Sequence, residues 1–128
     1  MAHNFKRGEI YKGNLNPQKG SEQAGERPVL IFQINQLNNT AKTTVVIPFT
    51  SQLKYRNIPS CVFVPKGEGG LETDSIALCH QIRVIDKDKG LLDNFGNAKR
   101  IGKLSPATMA LIEGTVAIML GLKPIVSN

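Results

Sequence analysis

Apolar and polar side chains alternate along residues 9–14 (EIYKGN), the two-residue period of a half-buried strand. Residues 28–34 are almost continuously apolar, which predicts a central strand covered on both faces. Between them, residues 16–25 hold Pro17, Gly20 and Gly25 among polar neighbours and read as a long loop. Residues 35–42 (NQLNNTAK) form a polar turn. Residues 43–49 (TTVVIPF), rich in β-branched side chains, form a third strand, with Pro48 expected to mark a bulge or its exit. Residues 50–57 (TSQLKYRN) are a second, solvent-facing loop, and residues 61–65 a short strand closed by a glycine turn, KGEGG. Residues 74–77 and 81–86 supply one or two further strands, or a single strand bent through Cys79. Residues 90–103 hold a weak hairpin around a turn at 94–97.

The period changes at Ser105. Residues 105–122 open with a serine N-cap and a proline at the first helical position. Met109, Ile112, Val116, Met119 and Leu120 follow at helical spacing, and Gly121 and Pro124 mark the stop. That stripe reads as packing. Five to seven short antiparallel strands and one C-terminal helix give an α+β class with a small curled sheet. No linker, repeat or low-complexity segment divides the chain, so one domain spans residues 1–128.

Length and composition narrow the function rather than name it. The 128 residues suffice for one core, and 41% hydrophobic with 20% charged residues is ordinary for a soluble domain. No apolar run reaches the ~18 residues of a membrane span, and the N-terminus lacks the apolar core of a signal peptide. A cytoplasmic protein is expected. Cys61 and Cys79 are too few for a disulfide framework or a zinc site, and read as reduced structural thiols. Cys79 and His80 are adjacent, and strand neighbours point to opposite faces, so they would not converge on a metal. The net charge of +6 is compatible with nucleic acid or with an acidic protein partner, but the cations are scattered. The GxSxG, HExxH and Walker signatures are all missing.

Four places could carry chemistry. Arg27 stands immediately before Pro28, which holds its backbone extended, while its guanidinium can reach the rim; a phosphate or developing oxyanion suits such a fork. An ion pair with Glu26 or another carboxylate is the plainer alternative. Thr50 ends the third strand, where a threonine commonly caps a turn. His80, the interior histidine, is of a residue type that exchanges protons near neutral pH, yet by itself it reads as a satisfied core histidine. Lys54, Tyr55 and Arg56 set two cations beside an aromatic ring, which can hold a backbone and stack a base, or merely solvate a loop.

Four segments in this order, KRGEIYKGNLNP, GSEQAGERPVLIFQ, VVIPFTSQ and ALCHQIRVIDK, resemble the MazF/PemK/Kid family of bacterial toxin endoribonucleases over residues 6–122. The resemblance implies a small SH3-like antiparallel barrel with extra strands and a C-terminal helix. It implies a homodimer that cuts single-stranded RNA, usually messenger RNA, at short sequences with no metal or cofactor. It also implies a cognate antitoxin that lays an acidic tail over the RNA-binding surface.

In such enzymes the RNA's 2′-hydroxyl attacks the adjacent phosphate, leaving a 2′,3′-cyclic phosphate and a 5′-hydroxyl. Matched to the family pattern, Arg27 stabilises charge on the phosphoryl oxygens and Thr50 orients phosphate or hydroxyl. Ser21, Glu22 and Gln23 in the first loop, with Gln52 and Gln81, are candidates for holding bases or phosphates. The chain departs from a subset of relatives at Leu78 and His80, where that subset carries an arginine and a carboxylate. His80 is therefore expected to play a modest catalytic or binding role. Two other readings stay open: a protein-binding toxin like the gyrase poison CcdB, and a non-catalytic RNA-binding module. Retention of GSEQAGERPV, Arg27 and Thr50 weighs against both.

Overall fold

The first strand and the C-terminal helix follow the side-chain pattern closely, while the second strand runs over Gly25–Ile31 rather than residues 28–34. Residues 32–34 leave the sheet, and Ile34 is 52% exposed. The computed structural model describes residues 3–15 and 25–122. Among these residues, seven strands form one antiparallel system: β1 (Glu9–Leu15), β2 (Gly25–Ile31), β3 (Thr43–Thr50), β4 (Cys61–Val64), β5 (Ser75–Leu78), β6 (Arg83–Asp86) and β7 (Arg100–Lys103). The order is β4-β5-β3-β2-β1-β7, with β6 paired to β3. Short helices α1 (Asn35–Asn38) and α2 (Lys87–Leu91) interrupt the strands, and α3 (Pro106–Met119) follows the last of them. The expected α+β fold, an antiparallel sheet with a C-terminal helix, is the one observed.

β3 is the hub. Thr43 to Val46 pair with β6, Phe49 and Thr50 pair with β5, and Val46 to Pro48 pair with β2 on the opposite edge. The apolar run of β2 is covered from both sides, as its pattern requires. Leu30 joins Ile10, Ile47, Phe49 and the α3 residues Met109, Ile112 and Val116 in one core. Val29 and Ile31 join Phe5, Tyr11, Val46 and Leu91 in a second core across the sheet. Each fully buried aliphatic chain contributes roughly 1.5–3 kcal/mol, so β2 is anchored on both faces.

α3 starts where the sequence places it. Ser105 caps the helix, its Oγ accepting the Thr108 N–H at 3.3 Å, and Pro106 fills the first turn. Glu68 strengthens that end by accepting the Ser105 hydroxyl at 2.6 Å and the Thr108 hydroxyl. Those bonds, Ser105 first, hold the Glu68 carboxyl below its ordinary value. The apolar stripe is shorter than the pattern implied, because Leu120 is the exposed C-cap residue.

Several expectations need correction. Pro48 causes neither a bulge nor an exit; it lies inside β3, in the gap between the β6 and β5 ladders, where that edge asks for no N–H. The polar turn at 35–42 contains α1, because Asn38 is buried and its side chain bonds Gln33 and Thr44. Of the two alternatives left open around Cys79, separate strands are observed, β5 and β6, joined by a single 3₁₀ turn over Cys79–Gln81. The weak hairpin at 90–103 reduces to one Leu92–Ala98 bridge, while residues 100–103 pair with β1 instead.

One backbone seam matters for the site. Gly70 (φ +82°) and Gly102 sit so close that a Cβ on Gly70 would meet the Ile101 carbonyl oxygen at 2.3 Å. A Cβ on Gly102 would meet the Gly69 carbonyl oxygen at 2.2 Å. The segment before β5 is thereby pressed directly onto β7.

Candidate active site

Gly25, Glu26 and Arg27 lead the otherwise buried β2 out to the surface, paired with Leu15, Asn14 and Gly13 of β1. Pro28 fixes the backbone after Arg27, and Val29 pairs with Pro48 of β3. Arg27 and Thr50 each lie two residues beyond that pair, at the end where β2 and β3 stop pairing. Arg27 and Thr50 thus lie at one end of the sheet, Arg27 on the cavity wall and Thr50 buried outside the cavity lining.

Arg27 is half-buried and lines a cavity of about 280 Å³ with Lys12, Glu72, Thr73 and Ser75. Its Nε is buried and has no hydrogen-bond partner among the described residues. Among the described residues Arg27 forms no ion pair, because the neighbouring Glu26 pairs with Lys12 at 3.6 Å. Leaving a buried charged donor unmade costs free energy.

Thr50 is 2% exposed. Its Oγ1 accepts the Gln52 N–H at 3.2 Å, so it does hold the turn into the next loop, as strand-end threonines do. The hydroxyl proton remains to be donated. Ser75, paired with Val64 near the mouth, donates its hydroxyl to the Thr73 carbonyl at 2.9 Å. Ser75, Thr73, Glu72 and Lys12 form walls of the cavity that sequence reasoning missed. Their segments carry no motif, and the β1–β2 and β3–β5 pairings together with the glycine seam against β7 bring them to Arg27.

His80 is not a core histidine. It is exposed on the 3₁₀ turn after β5, with Nδ1 3.0 Å from Ser60 Oγ and 3.8 Å from Cys61 Sγ. The turn gives the physical reason: the helical step at Cys79–Gln81 buries Cys79 and turns His80 outward. β5 runs about 10 Å, at ~3.3 Å per residue, between Ser75 at the Arg27 cavity and Leu78 beside His80. The histidine therefore sits at a neighbouring corner rather than in the cavity. Both cysteines are free thiols. Burial pushes Cys61 up, and burial with the nearby Cys61 pushes Cys79 up to about 12, so neither is poised as a thiolate.

The loop after β3 is exposed at Gln52, Lys54 and Arg56. Lys54 Nζ lies 5.3 Å from the Tyr55 ring centre, and the Arg56 guanidinium lies 4.2 Å over Phe63 of β4. Gln81 is half-buried in the same turn as His80. Ser21, Glu22 and Gln23 lie outside the described residues.

Residues 6–120 match the family model described as PemK-like, MazF-like toxin of type II toxin-antitoxin system. An endoribonuclease MazF of Staphylococcus saprophyticus is 33% identical over 124 residues, covering 97% of this chain and 98% of that protein. A MazF structure from Deinococcus radiodurans superposes with a TM-score of 0.75 at 23% identity, covering 94% of this chain and 99% of the other. A mycobacterial endoribonuclease solved in complex with its cognate antitoxin superposes with a TM-score of 0.67 at 24% identity, covering 95% and 98%.

Proposed function

Because the chain belongs to the PemK-like, MazF-like toxins of type II toxin–antitoxin systems, we propose that it is an endoribonuclease that cuts single-stranded RNA and is neutralised by a cognate antitoxin. The observation that carries this reading is the buried Nε of Arg27, without a partner among the described residues and held on a rigid strand end at the wall of a cavity. A scissile phosphate seated in the cavity meets the half-buried guanidinium, whose charge no ion pair offsets among the described residues.

The reaction needs no cofactor. The ribose 2′-oxygen bonds to the adjacent phosphorus as the bond to the 5′-oxygen breaks, the 2′-hydroxyl loses its proton, and the leaving 5′-oxygen gains one. The products are a 2′,3′-cyclic phosphate and a 5′-hydroxyl. Arg27 neutralises the charge that builds on the phosphoryl oxygens, a role a permanently protonated group fills without proton transfer. Thr50 donates its hydroxyl to align phosphate or attacking oxygen. His80, Gln81, Gln52 and the Lys54–Arg56 loop hold the strand beyond the cleaved step, with modest effects individually.

The antitoxin reading rests on the relatives, one of which was solved with its cognate antitoxin. An acidic antitoxin tail suits the net charge of +6. Homodimerisation is supported by the apolar side chains that α3 and its end leave in solvent, Leu111, Ile118, Leu120 and Leu122, the second of them 83% exposed. Among the described residues no helix is long and apolar enough to cross a membrane.

The test is cleavage of single-stranded RNA in EDTA, repeated on RNA with a 2′-deoxy nucleotide at the cut. Cutting that survives EDTA and stops with the 2′-deoxy substrate is expected. Cutting that EDTA abolishes, or that the 2′-deoxy substrate still permits, overturns the mechanism.

A further inference from the structure

One further cavity adjoins the Arg27 cavity, and a third adjoins that one. Lys12 and Glu26 line both the Arg27 cavity and a second, polar cavity of about 350 Å³, whose other walls include Lys89, Lys99, Asn94 and Asn97. Asn14, Lys89 and Gly90 are shared in turn with a third cavity of about 170 Å³ that reaches Arg83. Arg27, Lys12, Lys99, Lys89 and Arg83 thus lie along one connected groove.

Three of the carboxylates along the groove are engaged, while Glu72 of the Arg27 cavity forms no ion pair among the described residues. Glu26 pairs with Lys12, and Asp86 accepts the Lys89 N–H at 2.9 Å. Asp93 accepts the Phe95 and Asn97 N–H groups at 2.8 and 2.9 Å. Among the described residues neither Lys89 nor Lys99 forms an ion pair. The same Asp93 bonds build a tight turn that presents Phe95 to solvent, 89% exposed, next to Asn94 of the cavity wall. Folding gains nothing from an aromatic ring in that position.

We infer that this groove is the track for the RNA that flanks the cleaved phosphate. The middle cavity, near the smallest size that encloses a small ligand, takes one nucleotide. Lys89 and Lys99 hold its phosphate, the amides of Asn94 and Asn97 meet its base edge, and Phe95 stacks the next base. The inference rests on the endoribonuclease reading and adds to it a direction of approach that the catalytic residues do not define.

The experiment first maps the wild-type cut site, then uses RNAs carrying a 2′-deoxy nucleotide at that site. A core RNA is compared with the same RNA extended on its 5′ side or its 3′ side. One extension is expected to tighten wild-type binding. Phe95→Ala should remove roughly 5- to 100-fold of that gain, and Phe95→Trp should restore it. Lys89→Ala with Lys99→Ala should flatten the dependence of affinity on salt by roughly 0.7 in log–log slope for each lost phosphate contact. If wild type and variants gain equally from each extension, the track is wrong. It is also wrong if the variants weaken binding of a poly-glutamate peptide while leaving the extension gain intact, which would make the groove an acidic-peptide site. Failure of wild type to cut any single-stranded RNA would instead refute the endoribonuclease reading.

Discussion

Arg7 and Arg27 each stand beside the start of a strand, and they are used in opposite ways. Arg7 donates its Nε to the Phe32 carbonyl at 3.0 Å, pairs with Glu113 of α3 at 2.6 Å and lies 4.8 Å over the Phe32 ring. Every useful face of that guanidinium is spent inside the fold. Arg27 keeps a buried Nε with no partner among the described residues and opens onto a cavity. The contrast separates an arginine that ties elements together from the one we propose as reactive, which is held in place by its backbone and free of ion pairs among the described residues.

The largest test of that contrast is Arg27→Ala. It should lower the cleavage rate by roughly 10²- to 10³-fold, the usual loss for a donor to a charged transition state, while leaving the melting temperature nearly unchanged. A folded variant with near-normal turnover would erase the distinction. Arg7→Ala should do the reverse, costing about 2 kcal/mol of stability, because it breaks the α3 ion pair and strips the Phe32 carbonyl of a donor. Thermal melts would show a fall of several degrees, with activity retained at temperatures where the variant is folded.

Glu68→Gln sharpens the same division at the N-terminus of α3. The Ser105 and Thr108 hydroxyls depress the Glu68 carboxyl in the folded state. Its charge therefore stabilises the protein above the ordinary value of 4.5, and that contribution is lost as pH falls through the lower folded value. The variant should be about 1 kcal/mol less stable at pH 7 in urea titrations, with the gap closing in acid. A gap that widened in acid would contradict the assignment. The smallest effect is expected from His80→Ala: a few-fold slower cleavage and an altered pH profile. If rate and profile are both unchanged, His80 has no part in the reaction.

How much of this was legible beforehand follows from where the information sits. The strands β1 to β3 and the helix α3 were readable because period, caps and β-branched runs are local. The place of Pro48 was not, since whether a proline interrupts a strand depends on which edge has a partner. Arg27 and Thr50 could be picked from the family motifs, and β-sheet register brings them to one end. His80 was misread as core because its burial is set by a 3₁₀ turn that nothing in ALCHQIR announces. Ser75, Thr73 and Lys12 were invisible for a related reason: they enter the cavity through strand pairing and the glycine seam.

The glycine seam between residues 69–70 and 101–102 has a bearing on any attempt to retune the enzyme. Backbone meets backbone there with no room for a single methyl group, so the cavity wall formed by Leu71, Glu72 and Ile101 is fixed as masonry is fixed. New target preferences would have to be engineered on the opposite bank, in side chains that face open water. Libraries that spare those glycines should yield far more working variants than libraries that touch them.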